Sequence, residues 1–304
     1  MQRALEKRHG RHSSYLVITR RSIALWIIAA ALAARQAYGQ PQRIVSTVPS
    51  VTELLYALGL GDRVVGVTRF CRFPPEAQKK TKIGDYINPN IEAIAALKPD
   101  LVIVQTNPAR LAERLGALHL HVLEVNQESI AALYNSIREV GDATGVPARA
   151  TQLINSIRNR LEEIRARAAP LRRTRVMFVV GRSPNRLDGL IVVGKASYLS
   201  DVIQIAGGEN VFQDAMAAYP AVSLEEVIAR NPEVIIDMGD MSDTVAVSEE
   251  HKRSVIALWQ RLPVITAVKQ HHVFAVASDI YVMPGPRVVN AAQSFLEMFH
   301  PEAK

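Results

Sequence analysis

The sequence predicts an α/β fold of two lobes, each built on a mostly parallel sheet, joined by one long interdomain helix. Three observations predict it: a helix–strand unit that occurs twice, helix and strand patterns that alternate along the chain, and a long amphipathic run between the copies. The first copy of the unit is N-I-E-A-I-A-A-L-K-P-D-L-V-I, from Asn90 to Ile103, and the second is S-L-E-E-V-I-A-R-N-P-E-V-I-I, from Ser223 to Ile236. Laid over one another, Ile91 falls on Leu224, Glu92 on Glu225, Pro99 on Pro232 and Asp100 on Glu233. Each copy reads as a short helix stopped by a proline and followed directly by an apolar strand. Asn90 and Ser223 are good N-cap residues, and Ser223 with Glu226 has capping-box spacing. A weaker echo pairs the segment from Thr52 to Val65 with that from Leu199 to Phe212, each a helix closed by glycine before a short strand.

Taken in order, Arg43 to Val48 alternates as a strand, and Val51 to Leu58 follows as a helix. Val64 to Val67 is the next strand. The loop T-R-F-C-R-F-P-P after it, Thr68 to Pro75, cannot be regular because it holds two prolines. Leu101 to Val104 and His121 to Val125 supply two more strands. Glu128 to Val140 reads as a helix ending near Gly141 to Gly145, and Pro147 to Ala168 as another. In that second helix Ala150, Leu153, Ile154, Ile157, Leu161, Ile164 and Ala168 recur at steps of three and four, with the charges largely off the stripe. A helix of this length reaches roughly 30 Å, enough to carry the chain from one lobe to the other. The second lobe then offers strands at Arg175 to Val180, Leu190 to Val193, Val234 to Asp237 and Val273 to Ala277, a helix from Ser197 to Ile205, and a closing helix from Pro286 to Phe299. Alternation of this kind gives Rossmann-like lobes with helices on both faces of a parallel sheet.

The start of the chain reads as an export signal over residues 1–39. A basic beginning leads to the apolar run Ile23 to Ala34, too short to span a bilayer comfortably, and Ala37-Tyr38-Gly39 is a small-x-small cleavage site. Thr19-Arg20-Arg21-Ser22-Ile23 resembles a twin-arginine motif, which leaves the export route open between two systems. The expected divisions are the leader at 1–39, a first lobe at 40–146, the connecting helix at 147–169 and a second lobe at 170–304. Seven of the 36 lysines and arginines and one of the 29 acids lie before residue 40, so the rest of the chain is close to neutral, at +1. That balance gives no support to a nucleic-acid partner. Cys71 is the only cysteine, which excludes an internal disulfide, and no cysteine marks a lipid-attachment site.

The strings R-I-V-S-T-V-P-S-V-T-E, V-V-G-V-T with F-P-P-E-A, N-I-E-A-I-A-A-L-K-P-D-L-V-I, A-G-G-E-N-V-F and P-A-V-S-L-E-E-V-I-A-R-N-P-E-V-I-I run over nearly all of residues 43–299. Together they resemble the helical-backbone periplasmic substrate-binding proteins that serve ABC importers of cobalamin, ferric siderophores and haem, and most of all the cobalamin-binding branch. The resemblance implies a monomeric periplasmic receptor without a cofactor or chemistry of its own, carrying a corrinoid to a permease dimer. Haem or a ferric siderophore is the alternative ligand. It also implies that Glu92 and Glu225, one per repeated helix, dock into arginine pockets of the permease, and that Phe70, Phe73, Tyr86, Tyr219, Asp279 and Arg287 line the cleft. Flat aromatic faces suit a macrocycle because they bury much area with few rotatable bonds. The branch places tryptophan where this chain has Tyr86 and Tyr219, and Arg69 and Arg72 are departures that suit an anionic ligand.

Other signals point elsewhere. G-L-I-V-V-G-K-A, Gly189 to Ala196, mimics a phosphate loop, but its middle is strand-forming and Ala196 lacks the hydroxyl that would reach magnesium. The pairs His119 with His121 and His271 with His272 offer two ligands each where zinc takes three or four. Cys71, flanked by arginines, is the one candidate nucleophile of an exported enzyme, without a histidine near it in sequence.

Overall fold

The computed structural model describes residues 39–106, 110–239 and 248–302. The export signal expected over residues 1–39 therefore lies, except for Gly39, outside the described residues. The first lobe holds β1 (Ile44–Ser46), β2 (Val64–Val67), β3 (Thr81–Lys82), β4 (Leu101–Gln105) and β5 (Val122–Val125), hydrogen-bonded in the order β3-β2-β1-β4-β5 with every pair parallel. The second holds β6 (Thr174–Gly181), β7 (Leu190–Val192), β8 (Gly208–Asn210), β9 (Ala221–Val222), β10 (Val234–Asp237) and β11 (Val273–Ala275), in the order β11-β10-β6-β7-β9. β8 lies parallel to the first half of β6, and β7 runs antiparallel beside its second half. β8-β6-β10-β11 thus repeats β2-β1-β4-β5, and the hairpin-like pair β7 and β9 is an addition peculiar to the second lobe.

The sequence repeat is a structural one down to single hydrogen bonds. Asn90 and Ser223 cap their helices by accepting from Ala93 N–H at 2.8 Å and Glu226 N–H at 3.2 Å. Each helix, Ile91–Ala96 and Leu224–Arg230, ends on a residue with positive φ, Lys98 and Asn231, just before its proline. Asp100 then accepts from the Gln42 and Arg43 N–H groups, while Glu233 accepts from Arg175 N–H. In return the Asp100 and Glu233 N–H groups each donate at 2.8 Å, to the Arg43 and Arg175 carbonyls. Those same two arginines reach back with their guanidinium groups to the last carbonyls of the repeated helices, at Leu97 and Arg230. Orphan carbonyls at a helix end need such donors, which accounts for an arginine at the start of the first strand in both lobes, just before β1 and as the second residue of β6.

The connecting helix is Pro147–Ala168, 22 residues and about 33 Å long. Its buried side chains are Ala150, Ile154, Ile157, Leu161, Ile164 and Ala168, with Leu153 partly buried beside them. They join one continuous apolar core that includes Ile44, Leu54 and Ile137 of the first lobe and Val176, Phe178 and Phe295 of the second. Fully burying an Ile or Leu side chain is worth about 1.5–3 kcal/mol, so the helix is bonded to both lobes rather than strung between them. Among the described residues no helix is long and apolar enough to cross a membrane.

Several elements differ from expectation. The helix before the connector is Ile130–Ala143, because Ser129 rather than Glu128 supplies the cap and Gly141 is tolerated inside, packed against Ala150. The closing helix starts at Val288, so Pro286 lies outside it. Leu111–Gly116, Glu249–Trp259 and Thr266–Lys269 are helices that the sequence reading left unassigned.

Candidate functional site

A cavity of about 530 Å³ opens where the two sheets present the C-terminal ends of their strands. Val48 to Ser50 follow β1, Arg69 and Phe70 follow β2, and Gln105 ends β4, while Val180 comes from the end of β6 in the other lobe. Parallel sheets place crevices there because the chain leaves each strand in a different direction. Tyr219 and the segment Val282 to Pro284 complete the second wall.

Each aromatic side chain is held by a definite local structure. Asp85 accepts from the N–H groups of Ile87 and Asn88 at 3.0 and 2.7 Å, an Asx-type turn that presents Tyr86, and its other oxygen pairs with Arg69 at 3.2 Å. Phe70 meets the Tyr86 ring edge-on at 5.6 Å and carries the Arg69 guanidinium 5.0 Å above its face. Opposite them, the loop bearing Tyr219 is clamped by N–H donation from Gly194 to Ala218 and from Lys195 to Ala215. A side chain at Gly194 would place its Cβ 2.1 Å from the Ala217 carbonyl, so only glycine lets the loop lie this close. This is what the phosphate-loop look-alike does: it is strand β7 and a loop clamp. Burial pushes the Tyr219 phenol up, although its ring remains half open to the cleft. Tyr86, Phe73 and Ile87 are likewise exposed apolar side chains on the facing lobe.

Of the six expected ligand contacts, Phe70, Tyr86 and Tyr219 line the cavity. Phe73, Asp279 and Arg287 come together just behind its wall. Arg287 lies 4.1 Å over the Phe73 ring, 3.0 Å from Asp279, and donates through Nε to Glu53 at 2.8 Å and through Nη2 to the second Glu53 oxygen. Burial raises the Glu53 carboxyl above its ordinary value, and the bonds from Arg287 hold it partly down. Burial alone would lower the Arg287 guanidinium, but its two carboxylate partners keep it above its ordinary value. Glu53 is the residue sequence reasoning missed. Its signal was a lone charge in V-T-E-L-L, among residues that all prove buried.

Glu92 and Glu225 are both exposed in the first turns of the repeated helices. Glu92 lies beside a polar hollow of about 340 Å³ that also includes Arg114. Glu225 is held below the usual carboxylate range by its own N–H and by Ser223. The Cys71 thiol is buried between the hydroxyls of Thr52 and Thr68, each 3.1 Å away, and burial pushes it up rather than down. The flanking arginines point elsewhere, and a protonated, covered thiol is a poor nucleophile. His119 and His271 occupy positive-φ turns ahead of β5 and β11.

Comparison with known proteins agrees with this architecture. The chain is 31% identical over 271 residues to the ABC transporter substrate-binding lipoprotein YvrC of Bacillus subtilis, covering 86% of this chain and 81% of that one. It is 31% identical over 270 residues to a vitamin B12-binding protein of Pectobacterium atrosepticum, covering 84% and 88%. Among solved structures, the haem-binding protein RhuT of Roseiflexus sp. RS-1 superposes with a TM-score of 0.72 at 28% identity, covering 86% of this chain and 99% of that one. The periplasmic binding protein family matches residues 44–280, and the chain belongs to that family.

Proposed function

We propose that this protein is the exported substrate-binding component of an ABC importer and that it carries a corrinoid. The observation that carries the reading is the aromatic cavity between the lobes, with Phe70 and Tyr86 on one wall and Tyr219 on the other. A macrocycle has two broad apolar faces, and rings on opposing walls cover both at once. The cavity is partly open, so it grips the ring system and leaves bulky substituents in solvent. Relatives named for vitamin B12 support the corrinoid.

A second reading keeps the importer and changes the cargo to haem or a ferric siderophore. Arg69 and Arg72 favour it, since both line the cavity and guanidinium groups pair readily with acidic substituents. Absorbance titration of the exported protein with cyanocobalamin and, separately, with haemin decides between them. A saturable change with cyanocobalamin alone supports the corrinoid, and one with haemin alone transfers the assignment to the second reading.

A further inference from the structure

Among the described residues, the Arg287–Glu53 ion pair is the one that joins the two lobes. Its partners stand 234 residues apart in sequence. Glu53, on helix Pro49–Ala57 of the first lobe, is 3% exposed, and Arg287 and Asp279 of the second are each 19% exposed. A guanidinium bonded by two of its nitrogens to one carboxylate fixes orientation as well as distance. The bridge adjoins segments of the cavity wall from both lobes. Ser50 lines the cavity three residues before Glu53, and Phe73, under the guanidinium, belongs to the loop that presents Phe70 and Arg72. Val282 to Pro284 line it directly between Asp279 and Arg287. Gly285 lies so close that an added Cβ would meet Glu53 Oε2 at 3.5 Å and the Ser50 backbone at 3.7 Å.

Buried ion pairs are weak contributors to net stability, because desolvation offsets most of their attraction, and a recurrent use of them is to specify one geometry. Resting on the reading of the cleft as the ligand site, we infer that Glu53 is a positioning residue: by gripping Arg287 across the lobes it sets the separation of the cleft walls and thereby the rate at which ligand leaves. Arg287 is on this account committed to protein carboxylates and is not the group that meets an acidic ligand substituent.

The test uses spin labels on cysteines introduced by Ala96→Cys and Ala229→Cys, one at the end of each repeated helix, with Cys71 spared by its burial. The unmodified bridge should give one narrow distance distribution, and Glu53→Gln and Arg287→Lys should each broaden it. A bridge that holds the walls around bound ligand acts on its escape more than on its entry, so both variants, one losing the charge and the other the fork, should release cyanocobalamin or haemin at least about tenfold faster while association changes less than about threefold. Should Glu53→Gln fail to fold, Arg287→Lys, which retains the charge and loses the fork, carries the test. Lower melting temperature with unchanged distances and unchanged dissociation would make Glu53 merely structural and overturn the inference. Binding of neither compound by the parent protein would instead overturn the functional reading, with the distance distributions still deciding the bridge.

Discussion

Glu92 and Glu225 show how one residue type serves two ends. A glutamate in a helix's first turn gains about 0.3–1 kcal/mol from the helix dipole, which explains its presence without any partner. Yet these two are exposed, and each stands at the same place in its lobe's copy of the repeat, so a partner that binds both senses the spacing between lobes. Paired charges of this sort govern orientation and encounter more than affinity. Glu92→Arg combined with Glu225→Arg should abolish transport in cells while ligand affinity of the purified protein stays within about twofold. Undiminished uptake by that variant would remove the docking role. Buried polar residues follow a different logic. Asp237 accepts from Arg182 at 2.9 Å, from the Trp259 indole at 2.7 Å and from Gly239 N–H, with nothing left unmet on the carboxylate. It therefore reads as a brace of the second lobe, and the lining of the cleft contains none of its partners.

At the scale of elements, the repeated unit was legible because its signals are local: an N-cap, a proline stop and a run of β-branched residues. What was not legible is what the copies do to each other's neighbours, such as the arginines at 43 and 175 closing helices more than fifty residues away. Glu233 illustrates the energetic side. Burial alone would raise its carboxyl, but the Arg175 N–H and the Arg172 guanidinium bring it below its ordinary value of 4.5. A carboxyl lowered by folding contributes stability that is present above its unfolded value and lost as pH falls through its folded value. Denaturant unfolding at pH 7 and near pH 3 should therefore show a smaller acid-induced loss for Glu233→Gln than for the parent chain, and equal losses would contradict the assignment. Gly194 makes a separate test of how the loop holding Tyr219 is seated. An alanine there must push the Ala217 carbonyl away, at a typical overpacking cost of about 1–3 kcal/mol, and Tyr219 moves with the loop. Gly194→Ala should weaken ligand binding by about tenfold in calorimetry. Retained affinity would show that the loop can shift without disturbing the tyrosine.

The whole molecule was legible as far as patterns of three or four and two residues carry. The alternation, the connector Pro147–Ala168 and the closing helix follow from periodicity, and the connector's bounds coincide with the apolar stripe. Periodicity says nothing about contacts between segments distant in the chain, which is why the bond between Arg287 and Glu53 was not legible. It is also why β7 resembled a phosphate loop: of the two glycines that suggested one, Gly194 is needed for the close backbone approach of residues 215–220 and Gly189 for a positive-φ turn beside Ser183. In the assembled molecule one apolar cluster runs through both lobes along the connector, and each lobe adds a smaller cluster of its own. Whether the cleft holds a ring compound between its two tyrosines is tested by equilibrium dialysis of cyanocobalamin and of haemin against the parent protein and against Tyr86→Ala with Tyr219→Ala. Saturable binding of one ring compound at one site per chain, weakened at least about tenfold by losing both tyrosines, is the expected result. Absence of saturable binding, or binding that ignores the two tyrosines, would contradict it.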